Sequence, residues 1–153
     1  MEIREAVMAD APQMSAILKH LTAAGKRISP DDEAFIRKHY ISDPGRIRCS
    51  VAVREGTVVG FQSLKRAEPG NAYGVTPGWG IIGTHIGPAA ARQGVGRALF
   101  EVSRAAALDA GVTRIDARIA ADNPEALAYY NAMGFVTYRT PEGLVCKVWS
   151  GSV

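Results

Sequence analysis

Residues 88–100 read PAAARQGVGRALF, a segment in which two glycines lie at the entrance of a predicted helix. Apolar residues recur at helical spacing from Gly94 to Gly111, and the second of these glycines is a typical C-terminal cap. The free N–H groups and positive dipole end at a helix start favour an anion such as a pyrophosphate. Alternatively, Gly94 and Gly96 only allow a tight turn. The loop therefore predicts a diphosphate ligand without naming it.

Two common phosphate motifs do not fit this loop. A dinucleotide fingerprint needs a third glycine three residues after Gly96, where this chain has Leu99, and it expects the loop near the first strand. A P-loop needs Gly-Lys followed by Ser or Thr, which the chain lacks. Arg92, Gln93 and Arg97 flank the glycines and would add hydrogen-bond donors for the anion.

The rest of the chain alternates between strand and helix patterns. Strands are predicted at 2–8, 49–55, 57–66, 79–86, 113–120, 135–139 and 144–149. Helices are predicted from an N-cap at Asp10, from Ser29-Pro30 to about Tyr40, from Gly94 to Gly111, and from an N-cap at Asn123 to Gly134. This order predicts one mixed α/β domain built on a single sheet.

Composition narrows the class of protein. The chain has 153 residues, and 18 Lys and Arg against 15 Asp and Glu give a net charge of +3. These basic residues are scattered, which argues against nucleic acid as a partner. The sequence has no long apolar run and no basic leader, so we expect no membrane association and a cytoplasmic location. Cys49 and Cys146 are far apart, which predicts free thiols and no metal site.

A second motif, NPEALAYYNAMGF, occupies residues 123–135. Taken alone, its tyrosines are most simply packing residues. Together with the glycine loop it resembles the GCN5-related N-acetyltransferase (GNAT) superfamily. The loop pattern of that family, Gln/Arg-x-x-Gly-x-Gly/Ala, falls on residues 91–96. Its later pattern, Asn-x-x-Ala-x-x-x-Tyr-x-x-x-Gly-Phe, matches Asn123, Ala126, Tyr130, Gly134 and Phe135.

One loop position departs from the family pattern. Ala91 stands where Gln or Arg is usual, and Arg92 follows it. Because backbone amides hold most of the pyrophosphate in this family, we expect weaker anchoring and not loss of binding.

The resemblance implies a fold and a co-substrate. The fold is a GNAT-like single domain over residues 1–153, with a mixed, mostly antiparallel twisted sheet of about seven strands and about four helices. Acetyl-CoA would enter where the strand before the loop splays from the next one. The residues implied to bind it are Thr84, Ile86, Arg92, Gln93, Gly94, Val95, Gly96, Arg97, Asn123 and Tyr130.

The resemblance also implies direct transfer of the acetyl group from the thioester to a primary amine. Tyr130 would be the general acid for the leaving thiolate, and the amide near Thr84 would polarise the carbonyl. The base is open between His85 and a water relayed by a strand residue such as Asp116. Because neighbouring strand residues face opposite sides, His85 faces away from the substrate if the Thr84 side chain faces it. In that case ordered water takes the proton.

The acceptor amine is less constrained. The segments that bind it in the superfamily supply the candidates Glu33, His39, Tyr40, Asn71, Tyr73 and Trp79, to which we add Asp116. Each of these has the alternative of being a surface or packing residue. The stretch GWGIIGTHIGP is similar to phosphinothricin and amino-acid N-acetyltransferases, which favours a small, amino-acid-like amine.

Other functions stay open from the sequence. The chain could be an acyl-CoA-binding sensor without turnover, or a peptide N-terminal acetyltransferase. A homodimer is also open, because dimers are common in the superfamily.

Overall fold

The computed structural model describes residues 1–90 and 93–152 and contains one seven-stranded sheet. The strands are β1 (Glu2–Glu5), β2 (Arg46–Arg54), β3 (Thr57–Arg66), β4 (Gly80–Ile86), β5 (Arg114–Ala120), β6 (Val136–Arg139) and β7 (Leu144–Ser150). Their spatial order is β1-β2-β3-β4-β5-β7-β6. Every neighbouring pair is antiparallel except β4 and β5, which are parallel. The predicted mixed, mostly antiparallel sheet is confirmed.

Helices cover both faces of this sheet. They are α1 (Ala11–Ala23), the single turn α2 (Glu33–Ile36), α3 (Val95–Asp109) and α4 (Pro124–Ala132). Short 3-10 turns occupy Met8–Asp10 and Pro88–Ala90, and a π-helical turn, Arg37–Ile41, continues α2. No helix in the described part of the chain is long and apolar enough to cross a bilayer.

The two sides of the sheet have separate cores. On the front face, α1 and α2 pack Leu18 and Ile36 against Phe61 of β3. On the back face, α3 and α4 pack Phe100 and Tyr130 against the central strands. These contacts fix which side chains of β4 and β5 face each way, because successive strand residues alternate.

β4 and β5 stay paired for only part of their length. The parallel ladder begins at Gly80 and Ile115 and stops after Ile82 and Ala117, although β4 continues to Ile86. The second half of each strand therefore leaves its partner, and the sheet has a V-shaped opening. This is the splay that the resemblance implied.

Two helix starts differ from the sequence prediction. Asp10 does not cap α1: its carboxylate accepts from the Val7 N–H at 2.8 Å and pairs with Arg4 at 2.8 Å. The predicted first strand accordingly ends at Glu5. The second helix starts at Glu33, later than the predicted start at Ser29-Pro30. The Asp32 side chain caps it by accepting a hydrogen bond from the Phe35 N–H.

The predicted cap at Asn123 is confirmed. Its side chain accepts from the Ala126 N–H at 3.2 Å, and Pro124 occupies the first turn of α4. Cys49 and Cys146 are both free and buried, as the sequence predicted.

Candidate active site

A cleft of about 830 Å³ occupies the opening between β4 and β5. The end of β4, the start of α3, the inner side of α4 and the segment after α1 line it. Nine side chains or backbone positions predicted from the sequence lie on its walls: Thr84, His85, Ile86, Gly94, Val95, Gly96, Arg97, Asn123 and Tyr130. The topology therefore brings the two sequence motifs to one cavity.

Two predicted loop residues stand apart from this group. Arg92, like Ala91, lies outside the described residues. Gln93 does not line the cleft, because its side chain contacts Arg54 and donates to the Ala89 carbonyl at 3.1 Å.

The structure requires glycine at the two loop positions for different reasons. Gly94 adopts φ +79° at the N-cap of α3, in the left-handed region that favours glycine. Gly96 is needed for close packing, since an added Cβ would lie 2.6 Å from Cε1 of Tyr129. The Tyr129 hydroxyl donates to the Gly96 carbonyl at 2.7 Å. The sequence left open whether the glycines serve an anion or only a tight turn, and the structure adds a third reason, because Gly96 lets α3 pack closely against α4.

Tyr130 lies at the apex of the opening. Its side chain is 6% exposed, and its hydroxyl oxygen lies 2.8 Å from Oγ1 of Thr84. Burial raises the pKa of Tyr130 above its ordinary value, so the phenol is protonated at neutral pH. A protonated phenol that touches the cleft can donate a hydrogen bond or a proton to a ligand atom there.

A buried polar network behind Tyr130 was not predicted from the sequence. Ser103 donates to Oε1 of Gln62 at 2.6 Å, and Nε2 of Gln62 donates to Thr84 at 2.8 Å and to Tyr129 at 3.1 Å. Gln62 and Ser103 are fully buried. The sequence did contain a sign of this network, because Gln62 is a polar residue in the apolar pattern of β3 and Ser103 lies on the inner face of α3. A buried polar side chain needs a hydrogen-bond partner.

His85 lies on the front face, opposite to Thr84, as strand alternation predicts. Its ring packs against Phe61, with a centroid distance of 4.7 Å, and against Tyr40 at 5.7 Å. Burial, with a smaller contribution from the charge of Arg27, lowers the pKa of His85 to about 3. Nε2 is buried and has no hydrogen-bond partner in the described part of the chain. The imidazole is therefore neutral at physiological pH.

The four residues Glu33, Tyr73, Trp79 and Asp116, predicted to bind the acceptor, do not line the cleft. Glu33 pairs with Arg37 at 2.9 Å along its own helix. Tyr73 is 39% exposed, and Trp79 packs its ring 5.5 Å from that of Tyr138. Asp116 is fully buried on the front side of β5. Their role in binding an acceptor stays a prediction.

Asp116 has an unusual environment for a carboxyl group. Oδ2 accepts from the Tyr138 hydroxyl, whereas Oδ1 has no partner among the described residues. Burial raises the pKa of Asp116. The group sits one position before the strands part, next to Ile81 of β4.

The sequence analysis did not predict several charged residues on the cleft wall. Arg27 and Lys26 follow α1, Arg118 lies on β5, and Glu125 opens α4. Lys26 pairs with Glu125 across the mouth at 3.1 Å. No group of three or more His, Cys, Asp or Glu side chains that could hold a metal occurs in residues 1–90 and 93–152.

Comparison with known proteins decides the family. The model of the acetyltransferase (GNAT) family matches residues 13–135. The chain belongs to this family. A search of curated protein sequences finds no significant match.

Solved GNAT structures show the same fold. A GCN5-related N-acetyltransferase from Kribbella flavida is 24% identical, covers 99% of this chain and 97% of that one, and gives a TM-score of 0.80. The ribosomal-protein-alanine N-acetyltransferase from Brucella melitensis is 22% identical, covers 100% of both chains, and gives a TM-score of 0.71. The PaiA N-acetyltransferase from Thermoplasma acidophilum, in complex with coenzyme A, is 16% identical, covers 98% of both chains, and gives a TM-score of 0.76. At these identities the likeness establishes the fold.

The cleft has the chemistry that the co-substrate of a GNAT acetyltransferase requires. The start of α3 presents free N–H groups beside the open space at Gly94, which suits a pyrophosphate. The part of β4 beyond Ile82 has lost its β5 partner, which leaves backbone groups for an extended amide-bearing arm. The protonated Tyr130 hydroxyl lies beside Thr84, and Tyr130 lines the same cleft.

Proposed function

We propose that this protein transfers an acetyl group from acetyl-CoA directly to the primary amine of a small, amino-acid-like substrate. The observation that carries the proposal is the Tyr130 hydroxyl, which lies 2.8 Å from Thr84 where β4 and β5 part. One cavity contains this hydroxyl and the start of α3. Anion binding and proton donation are therefore available in the same cleft.

Acetyl-CoA would lie along this cleft. The α3 start, Gly94 to Arg97, would hold the pyrophosphate through backbone N–H groups, with Arg97 adding charge. The backbone of Ile86 would bind the pantetheine arm, and Asn123 would fix the α4 start beside it. Arg92 stays a predicted donor for the anion, whereas the Gln93 side chain donates to the Ala89 carbonyl at 3.1 Å and would have to leave that contact to take part. These assignments extend the sequence motifs to the observed walls.

The transfer forms one bond and breaks another. The neutral amine nitrogen attacks the thioester carbonyl carbon, so a C–N bond forms and the C–S bond breaks. The backbone amide at Thr84 would stabilise the developing charge on the carbonyl oxygen. Tyr130 would donate its proton to the departing sulfur, and solvent would then reprotonate the phenol.

The proton released by the amine would leave through the front face. His85 is neutral there, but a group with a pKa of about 3 accepts a proton only weakly. Asp116 does not line the cleft. We therefore assign the proton transfer to ordered water in the cleft.

Thiol release from acetyl-CoA tests this proposal. Amino acids, polyamines, aminoglycosides and short peptides would be compared as acceptors, with wild-type protein and with Tyr130→Phe. We expect release with amino acids and its near loss in the variant. Preferential release with peptides would instead indicate N-terminal acetylation of proteins. Tight acetyl-CoA binding without release for any amine would indicate a sensor.

A further inference from the structure

Three arginines on the cleft wall, Arg27, Arg97 and Arg118, have no acidic partner among the described residues, and the proposed function assigns Arg97 to the pyrophosphate. Arg27 and Arg118 both line the cavity, on opposite sides of the opening. The ion pairs found among the described residues include neither of them. Most cationic side chains near a cavity are either paired or fully solvated, because an unpaired charge loses hydration. The protein thus supplies positive charge here without its own counter-ion.

Arg27 is held in place by neutral groups. Its Nη2 donates to the Pro30 carbonyl at 2.8 Å and to the Tyr40 hydroxyl at 3.2 Å. The guanidinium also lies 5.8 Å from the centroid of the Phe35 ring. Nε is buried and has no hydrogen-bond partner in the described part of the chain. None of these contacts neutralises the charge, so Arg27 is a positioned cation.

The position of Arg27 is close to the proposed chemistry. Tyr40, which accepts its hydrogen bond, packs against the His85 ring at 5.7 Å. The charge of Arg27 is also felt at His85, where it contributes to the lowered pKa. Arg27 therefore belongs to the front side of the opening, where an amine would approach.

Arg118 provides the opposite wall. It follows Ala117, the last residue of β5 that pairs with β4, and strand alternation places it on the front face with Asp116. Its guanidinium lies 5.6 Å from the centroid of the Tyr73 ring, and the side chain is exposed. Arg118 can therefore reach a ligand without being held by an acid.

Acidic groups nearby do not cancel these charges. Glu125, the acid on the cleft wall, is paired with Lys26 at 3.1 Å. Asp116 lies on the same face as Arg118 and interacts with its charge, but it accepts from Tyr138, burial raises its pKa, and it does not line the cavity. The front mouth therefore favours an anionic group and disfavours a polycationic amine.

We propose that Arg27 and Arg118 bind a carboxylate carried by the acceptor amine, which makes the acceptor an α-amino acid or a close analogue. This inference rests on the proposed function, since it concerns the acceptor of the same transfer. Two guanidinium groups match the two oxygens of a carboxylate and hold it at the front mouth. The amine of such a molecule then points to the apex of the opening, towards Tyr130.

The phosphates of coenzyme A are the other anions that could meet these arginines. The two sources differ in a measurable way. Arginines that bind the acceptor affect the affinity for amino acids, whereas arginines that bind phosphate affect the affinity for acetyl-CoA.

Isothermal titration of the full chain saturated with coenzyme A tests the site without turnover. The probes are amino acids, each paired with its uncharged C-terminal amide. We expect wild-type protein to bind the best acid about 10- to 100-fold more tightly than its amide, as charge-assisted hydrogen bonds predict. Arg27→Gln and Arg118→Gln should each lose most of that difference and keep their acetyl-CoA affinity. Arg118→Gln changes an exposed side chain, so its folding is secure.

Arg104→Gln is the matched control. Arg104 is paired with Glu101 on α3 and does not line the cleft, so this variant should behave as wild type. Equal binding of acids and amides by wild type, or no binding of either, would overturn the inference. Weaker acetyl-CoA binding with unchanged selectivity would assign the arginines to phosphate and overturn it too. Acid-selective binding without thiol release would leave the carboxylate site intact and reject the proposed transfer.

Discussion

The hydroxyl oxygen of Tyr130 lies 2.8 Å from Oγ1 of Thr84, at the point where the two central parallel strands separate. Thr84 already accepts a hydrogen bond from Gln62, whose amide orientation is fixed by Ser103 donating to Oε1. The Thr84 hydroxyl can then donate its proton to the Tyr130 oxygen, which leaves the Tyr130 proton available to a ligand in the cleft. The network behind the tyrosine therefore sets the direction of its hydrogen bond.

Removal of the Tyr130 hydroxyl should reduce kcat strongly. Tyr130→Phe keeps the ring, which packs in the back core at 5.1 Å from Phe135, so the fold is retained. We expect kcat to fall by about 10²- to 10⁴-fold, the usual contribution of a positioned acid. The KM for acetyl-CoA should change little. Steady-state thiol release measures both, and an unchanged kcat on a good acceptor would reject the assignment.

Tyr129 offers a neighbouring hydroxyl for comparison. Its hydroxyl donates to the Gly96 carbonyl and accepts from Gln62, so its role is to join α3 and α4. Tyr129→Phe should lower the free energy of unfolding by about 1 kcal/mol and affect kcat much less than Tyr130→Phe. Equal losses of kcat in the two variants would show a shared structural effect.

Thr84 should act through the hydroxyl of Tyr130. Thr84→Val keeps the branched shape, leaves the Tyr130 hydroxyl without this partner, and removes one of the two acceptors of the Gln62 amide. We expect kcat to fall by roughly tenfold, about 1.4 kcal/mol in the barrier, with little change in the KM for acetyl-CoA. Thr84→Ser restores the hydroxyl and should recover most of the rate. A loss in Thr84→Ser as large as that in Thr84→Val would exclude the hydroxyl as the cause.

The two glycines of the loop should fail for different reasons when replaced. Gly96→Ala places a Cβ 2.6 Å from Cε1 of Tyr129, and overpacking of this kind costs about 1–3 kcal/mol. Gly94→Ala meets no atom within 4 Å, but it must adopt φ +79°, at a cost of about 1 kcal/mol. Urea unfolding measures both changes.

A second substitution separates the two effects. Tyr129→Leu should relieve the clash in Gly96→Ala and leave the cost of Gly94→Ala unchanged. Additive effects in the Gly96 pair would contradict the contact between α3 and α4.

The sequence predicted those parts of the site that depend on local patterns. The caps and glycines place the starts of α3 and α4, and the two motifs then identify Gly94, Asn123 and Tyr130. Ion pairs between residues a few positions apart were not predicted from those patterns. The pairing of Asp10 with Arg4 replaced the predicted helix cap, and the short α2 paired Glu33 with its own neighbour.

The polar network and the unpaired arginines needed the topology. Gln62, Ser103 and Thr84 come from β3, α3 and β4, and they meet only when the sheet is assembled. Arg27 and Arg118 are 91 residues apart in the sequence. They line one cavity because β4 and β5 separate and open the space between the segments that carry them. A single sequence shows the alternation of strand faces but not which face opens to a ligand.

His85 of β4, which is half-buried and has its Nε2 shielded from solvent, should make the protein less stable in mild acid. Burial lowers the pKa of His85 to about 3, whereas an unfolded histidine titrates near about 6.5. Below about pH 6.5 the unfolded chain therefore binds a proton that the native state does not, and stability falls as the pH drops towards 3. The loss is at most about 1.4 kcal/mol per pH unit, and His85 contributes none above pH 6.5.

His85→Phe removes this titration and keeps an aromatic ring against Phe61 and Tyr40. Urea unfolding at about pH 7.5 and 5.5 should show a larger loss in wild type than in His85→Phe, by about 1 kcal/mol. His20 and His39 are exposed in both proteins and cancel in the difference, so identical losses would show that His85 is charged in the native state.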